Sequence, residues 1–218
     1  MEEPAQYKFG RIGGALCLDF TNTASWQASH RTTEHLSDFG DLLRWSNENG
    51  IIDLQTARAL SEEARQNPGG TLPILNRAKK FRELLYRIFV AVGQRKSPGR
   101  SDLQRLNEML AQVPLRFQVE REEIGFSCRR KPGASEFATL LGPVAWSAAE
   151  LLASDHLDKI KLCASDTCGW LFLDHTKNRS RRWCDMADCG SKAKARRYYH
   201  RKIQGNLLGG RQRRSLQI

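Results

Sequence analysis

Along the first two-thirds of the chain, apolar positions recur mostly at helical spacing. Ala15 to Leu18 is a short apolar run between Gly13-Gly14 and the polar stretch Asp19 to Thr23, which predicts a short extended or helical segment ending in a polar turn. Leu36, Phe39, Leu42, Leu43 and Ser46 share one helical face between Thr33 and Gly50, with Gly50 as the C-terminal stop. Asp53 reads as the N-cap of a helix through Ala57, Leu60 and Ala64, stopped by Asn67-Pro68-Gly69-Gly70. A longer helix is predicted from about Leu72 to Gly93, its apolar side formed by Leu75, Ala78, Leu85, Ile88, Phe89 and Val92.

Beyond the break at Ser97-Pro98-Gly99, Ser101 and Asp102 are placed to cap a short helix carrying Leu103, Leu106 and Leu110. Leu115 to Val119 and Ile124 to Cys128 alternate apolar and polar residues, a β-hairpin pattern. Ala134 to Ala153 is an apolar helix in which Pro143 predicts a kink or a late start. The expectation is a mainly α fold: a helical N-terminal domain over 1–157 with one small hairpin, a zinc unit over 158–204, and a flexible basic tail over 205–218.

The character of the chain changes at Ile160. Cys163 and Cys168 are separated by four residues, as are Cys184 and Cys189, with fifteen residues between the pairs. Two such knuckles facing one another supply the four thiolates of a tetrahedral zinc site, at about 2.3 Å per Zn–S bond. Four protein ligands leave no open position, so the expected ion is structural, one per chain, in a treble-clef-like or knuckle-type unit of hairpin plus helix. Binding contributes ~10 kcal/mol of folding energy in small zinc modules, which a segment so short and polar requires. His175 and His200 do not improve the spacing and read as surface residues, while Cys17 and Cys128 read as core thiols.

Between the pairs, Trp170 to Asp174 has the look of a strand, and Phe172 and Trp183 would supply the unit's apolar core. Arg179, Arg181 and Arg182 fit no core and are either solvated loop charge or phosphate contacts. After Cys189, Ser191 is positioned to N-cap a helix of alanines and long basic residues. On that helix Ala195, Tyr199 and Ile203 are expected to pack on the zinc unit, with Lys192 and Arg196 flanking them. Lys194, Arg197 and Arg201 would then face outward, with Lys202 beside them, as a stripe suited to a phosphate backbone or a major groove.

Charge sharpens this picture. Of a net +11, residues 155–218 hold 15 Lys and Arg against 6 Asp and Glu, whereas residues 1–154 hold 20 against 18. The excess therefore belongs to the last third, which favours a nucleic-acid partner for that segment. No apolar run is long enough for a transmembrane helix, so no membrane partner is expected, and the polar, acidic first residues do not resemble a signal peptide. Six cysteines in a reducing cytoplasm read as ligands or buried thiols, not disulfides. No metalloprotease, hydrolase, phosphate-loop or deaminase signature is present, so no enzyme is expected.

The paired cysteines, the strand with Phe172 and Asp174, the run Asn178 to Cys184 and the segment Cys189-Gly190 to Lys194 together resemble the CGNR zinc finger. That finger follows an ABATE-type domain in stress-induced bacterial transcription regulators. Gly14 to Thr23, with Leu18-Asp19 and Asn22-Thr23, is similar to the signature near the start of the ABATE domain. One departure stands out: Ser191-Lys192 occupies the Asn-Arg positions of the naming tetrapeptide, which keeps a charge but loses a bidentate guanidinium.

The resemblance implies a regulator that binds double-stranded DNA through its zinc end. It also implies a first domain that senses a small molecule or binds a partner, and leaves a homodimer open. Asp19, Asn22 and Thr23, with Trp26 nearby, are the candidate lining of a small-molecule pocket, the competing reading being helix capping and turn chemistry. An RNA-binding or protein-docking zinc module is the alternative function.

Overall fold

The computed structural model describes residues 7–26, 32–113, 116–131, 135–199 and 201–202. The sequence-predicted tail over 205–218 and the expected packing residue Ile203 lie outside the described residues.

Six α-helices carry the bulk of the chain: α1 Leu16–Thr21, α2 Phe39–Glu48, α3 Leu54–Gln66, α4 Pro68–Gly93, α5 Arg100–Gln112 and α6 Glu136–Leu152. The mainly α class is as the periodicity predicts, but the boundaries differ in instructive ways. Asp53 caps α3 as expected, accepting a hydrogen bond from the Thr56 N–H at 2.7 Å. The helix expected from Thr33 starts only at Phe39, where Asp38 accepts from the Asp41 N–H at 2.8 Å. Thr32–Glu34 is instead a strand, β2, antiparallel to β1 (Ala24–Trp26), a pairing with no alternation to announce it.

Helix α4 begins at Pro68 directly after α3 ends, because proline at the first helical position loses only an N–H that has no intrahelical partner. Asp102 does not cap α5; its carboxylate bridges to Arg87 of α4 at 2.8 Å, and Gly99 opens the helix. In α6 the expected late start does not occur. Ser135 caps it by accepting from the Ala138 N–H, and the helix runs through Pro143. The expected hairpin is present as β3 (Arg116–Arg121) and β4 (Phe126–Lys131), turning at Gly125 with φ 88°.

Helix α4 is the hub and packs against every other helix named above. It also touches two short antiparallel strands beyond α6, β5 (Ile160–Leu162) and β6 (Leu171–Leu173), which belong to the zinc unit. The main core is continuous across this junction: Ile160, Leu171 and Leu173 are buried with Leu18, Phe20, Trp45, Leu85 and Phe89. Burial of such side chains contributes about 1.5–3 kcal/mol each, so the strand pair is anchored to the helices by the same force that holds the helices together.

Candidate metal centre and basic surface

Cys163 follows β5 and Cys168 precedes β6, so the first knuckle is the connection of a two-stranded ladder. The Cys163 N–H donates to Trp170 O at 2.8 Å, and Ala164 N–H donates to Arg182 O at 2.8 Å, which brings the second pair onto the first. Cys184 precedes, and Cys189 lies within, a single π-type turn, Met186–Gly190, opened by the Asp185 carboxylate accepting from the Ala187 N–H.

All four cysteines are buried and their sulfurs lie within 4.8 Å of one another. Cys184 Sγ is 3.6 Å from Cys168 Sγ and 3.8 Å from Cys189 Sγ. A tetrahedron with Zn–S bonds of about 2.3 Å has edges of about 3.8 Å, which these two distances match, so the donor set fits zinc. The protonation chemistry agrees. Hydrogen bonds from Cys168 and Cys184 pull the Cys163 thiol down, while bonding to Cys163 raises Cys168 and Cys184, and burial raises Cys189. Four crowded sulfurs compete for charge, and a divalent cation ends that competition by stabilising every thiolate. With four protein ligands the ion is structural.

Asp174, at the end of β6, organises the loop between the pairs. Its fully buried carboxylate accepts from Thr176 N–H, Thr176 Oγ1, Arg181 N–H and Lys161 Nζ, the last at 2.7 Å. Burial pushes this carboxyl up, but the Lys161 and Thr176 donors outweigh it and leave the group well below the usual carboxylate range. Sequence reasoning assigned Asp174 no such role; the available signal was a carboxylate closing an otherwise apolar strand.

The structure sorts the expected cations. Arg179 pairs with Asp158, and its carbonyl accepts from Lys161. Arg181 is internal: it donates to the Trp183 and Cys184 carbonyls and lies 4.5 Å over the Phe172 ring. Arg182 points at Trp183, 5.4 Å from the ring centre. Beyond Gly190 the chain is helical over 191–199 (α7) and at 201–202. Lys192 pairs with Asp188 and Arg196 with Asp166, while Arg197 approaches Trp183. Lys194, Arg201 and Lys202 are exposed.

Two expectations for this helix are corrected. Ser191 is not an N-cap; its hydroxyl donates back to Met186 O, and Asp185 opens the turn instead. Ala195 and Tyr199 do not pack on the zinc unit, for both are exposed and the half-buried residue is Ala193. The residues of α7 that meet the zinc unit are Ala193, Arg196 and Arg197, which line a cleft with Trp183 and Asp166, so the side facing it is theirs.

Family models now place the chain. One described as ABATE, putative stress-induced transcription regulator, matches residues 14–155, and one described as CGNR zinc finger matches residues 159–202. The chain belongs to the ABATE family. A search of curated proteins finds no match. The ABATE region and the finger together make a regulator-type chain with a zinc module, and no helix among the described residues is long and apolar enough to cross a membrane.

Within the ABATE region, Asp19, Asn22 and Thr23 have a use other than lining a pocket. All three are buried. Asp19 accepts from the Gly13 N–H at 2.7 Å, and Gly13 O in turn accepts from Leu173 N–H of β6. A side chain at Gly13 would collide with Leu18 Cβ at 2.8 Å and Asp19 N at 2.9 Å, so only glycine permits this approach. Asn22 pairs with the backbone of Leu171, and Thr23 Oγ1 accepts from Arg82 at 3.1 Å. The signature of the ABATE domain therefore holds the finger's strand. The side chain of Trp26 lies outside the described residues.

Sequence reasoning also missed Arg82. It is 2 % exposed, donates to both Glu34 oxygens at 2.6 Å, and locks β2 onto α4. Its position between Ala78 and Leu85 on the buried face of α4 was the available signal.

Proposed function

We propose that this ABATE-family chain is a cytoplasmic DNA-binding regulator, a binding protein and not an enzyme. Its zinc finger would present α7 to the phosphate backbone and major groove of duplex DNA. The observation that carries this reading is the surface of the helix that leaves the fourth ligand. Residues 191–202 contain six Lys and Arg and no carboxylate, and the described cations among them are exposed. Such a stripe attracts a polyanion and releases its counterions. Among the described residues Lys194, Arg201 and Lys202 are in no ion pair, which leaves their charge for phosphate.

The test is binding of a random duplex pool by the full chain across a salt series. Binding should weaken steeply with salt, and Lys194→Gln with Arg201→Gln should reduce the slope by about 2, roughly −0.9 per phosphate contact. Unchanged affinity and slope in the double variant would reject the reading. Tyr198 and Tyr199 are 58 % and 63 % exposed at the same helix, which favours unpaired bases as a second reading. Preference for single-stranded RNA over duplex DNA at matched salt would select it.

A further inference from the structure

Two cations from different elements converge on one aromatic side chain. Trp183 immediately precedes the ligand Cys184, and its ring is half-buried. The Arg182 guanidinium carbon lies 5.4 Å from the ring centre and that of Arg197, from α7, lies 6.0 Å from it. Between them is an open cleft of about 240 Å³, lined also by Ala164, Ser165, Asp166, Ala193 and Arg196. The one carboxylate in this lining is already matched, since Asp166 accepts from Arg196 at 2.7 Å. Among the described residues neither Arg182 nor Arg197 is in an ion pair, so their two positive charges stand beside a flat apolar face in this cleft.

The walls are fixed by the metal site. Ala164 follows Cys163 and hydrogen-bonds Arg182 O, Trp183 precedes Cys184, and Ala193 is in the first turn beyond Cys189. This cleft is thus a product of the zinc fold, whereas Lys194, Arg201 and Lys202 are exposed and do not line it.

We infer that this cleft is a phosphate-ester site, in which Arg182 and Arg197 hold the charge and the indole of Trp183 packs against the attached sugar or base. A phosphodiester presents two non-ester oxygens, one for each guanidinium, and arginine's planar donor fork suits them. Guanidinium groups within about 6 Å of an indole are held over it, which restrains both before the ligand arrives. An aliphatic carboxylate would satisfy the charges but leave the aromatic face uncovered. The chemistry has two sources, a backbone phosphate of nucleic acid or a free nucleotide. The first deepens the DNA-binding reading and rests on it; the second does not.

The experiment follows the indole N–H resonance of Trp183 in the zinc-loaded full chain, assigned with Trp183→Phe. Duplex DNA and, separately, a mononucleotide are titrated in. The expected result is a saturating shift of that resonance with duplex, retained in Lys194→Gln/Arg201→Gln at higher DNA concentration. Arg182→Gln and Arg197→Gln should each weaken duplex binding about tenfold, as loss of a charged hydrogen bond does. A saturating shift with the mononucleotide alone supports the cleft with a free nucleotide as its ligand. If duplex binds but Trp183 does not shift and both arginine variants bind as wild type, the cleft is not a phosphate site, although the DNA-binding reading stands. If neither duplex nor mononucleotide shifts Trp183 and no duplex binding is seen, both fail.

Discussion

The side-chain amide of Asn22 and the backbone of Leu171 exchange two hydrogen bonds, Nδ2 to the carbonyl at 2.8 Å and the N–H to Oδ1 at 2.9 Å, in a buried seam between the helical domain and the zinc finger. The asparagine pairs with the strand as a neighbouring strand would. Trp170 Nε1 donating to Ala24 O and Tyr86 OH donating to Gly169 O complete the junction on either side. Asn22→Ala leaves a buried N–H and a buried C=O of Leu171 without partners, and should cost about 3 kcal/mol of stability. Urea unfolding checks this: the midpoint should fall with little change in slope. An unchanged midpoint would mean that water reaches Leu171 and that the seam is not dry.

Arg82 and Glu34 make the second buried junction. Burial pushes the Glu34 carboxyl up, but the hydrogen bonds and charge of Arg82 overcome this and hold it below its ordinary value. Glu34→Gln removes the carboxylate from a guanidinium that is 2 % exposed and keeps its bond to Thr23, and should destabilise the protein by about 3 kcal/mol. Arg82→Met with Glu34→Gln removes the charge and the pair together and should recover much of that loss. If the double variant is as unstable as Glu34→Gln, the defect lies in packing and not in the buried charge.

These two junctions mark the boundary of what the chain discloses when read by itself. Helices such as α4 were legible because Leu75, Ala78, Leu85 and Phe89 repeat locally at helical spacing. The cysteine site was legible for a similar reason: each ligand pair is a short-range knuckle, and only the meeting of two knuckles needs the fold. Strand β2 was not, since Thr32–Glu34 is polar throughout and pairs with β1 across a connection that has no turn signature. Arg82 was hidden because a cation inside an apolar register reads as an interruption until its partner, 48 residues away, is known. The orientation of α7 was missed because the side that meets the zinc unit carries Arg196 and Arg197 beside Ala193, so apolar periodicity does not mark which side faces inward.

Zinc removal should reach the helical domain. Ile160, Leu171 and Leu173 share the main core with α1 and α4, and the finger's strand carries the partners of Asn22 and Gly13. Chelation, or Cys184→Ser, is therefore expected to lower the melting temperature of the helical far-UV signal, and not merely to unfold the finger. Native mass spectrometry of the untreated chain should show one zinc per protein, lost in Cys184→Ser. A helical transition indifferent to chelator would show that the ABATE domain folds without its finger.

Asp19 predicts an unusual pH dependence. Burial raises its carboxyl to about 6, against the lowering effect of the Gly13 N–H and of Arg11. The native state therefore holds a proton that the unfolded chain, with a carboxyl near ~4, has already released. Stability contributed by this group is complete below about pH 4 and declines as pH rises towards 6, by about 3 kcal/mol at most. Glu34 has the opposite sign: its lowered value adds stability above the ordinary carboxyl range and forfeits it on acidification. A wild-type pH profile mixes the two, so the useful quantity is the difference between Asp19→Asn and wild type. The asparagine Oδ1 can still accept from Gly13 N–H but does not titrate. Its advantage over wild type should grow from pH 4 to 6 and then level off, measured as the urea midpoint at fixed ionic strength. A difference that stays flat across this range would show that Asp19 titrates in the folded protein as it does in the unfolded chain.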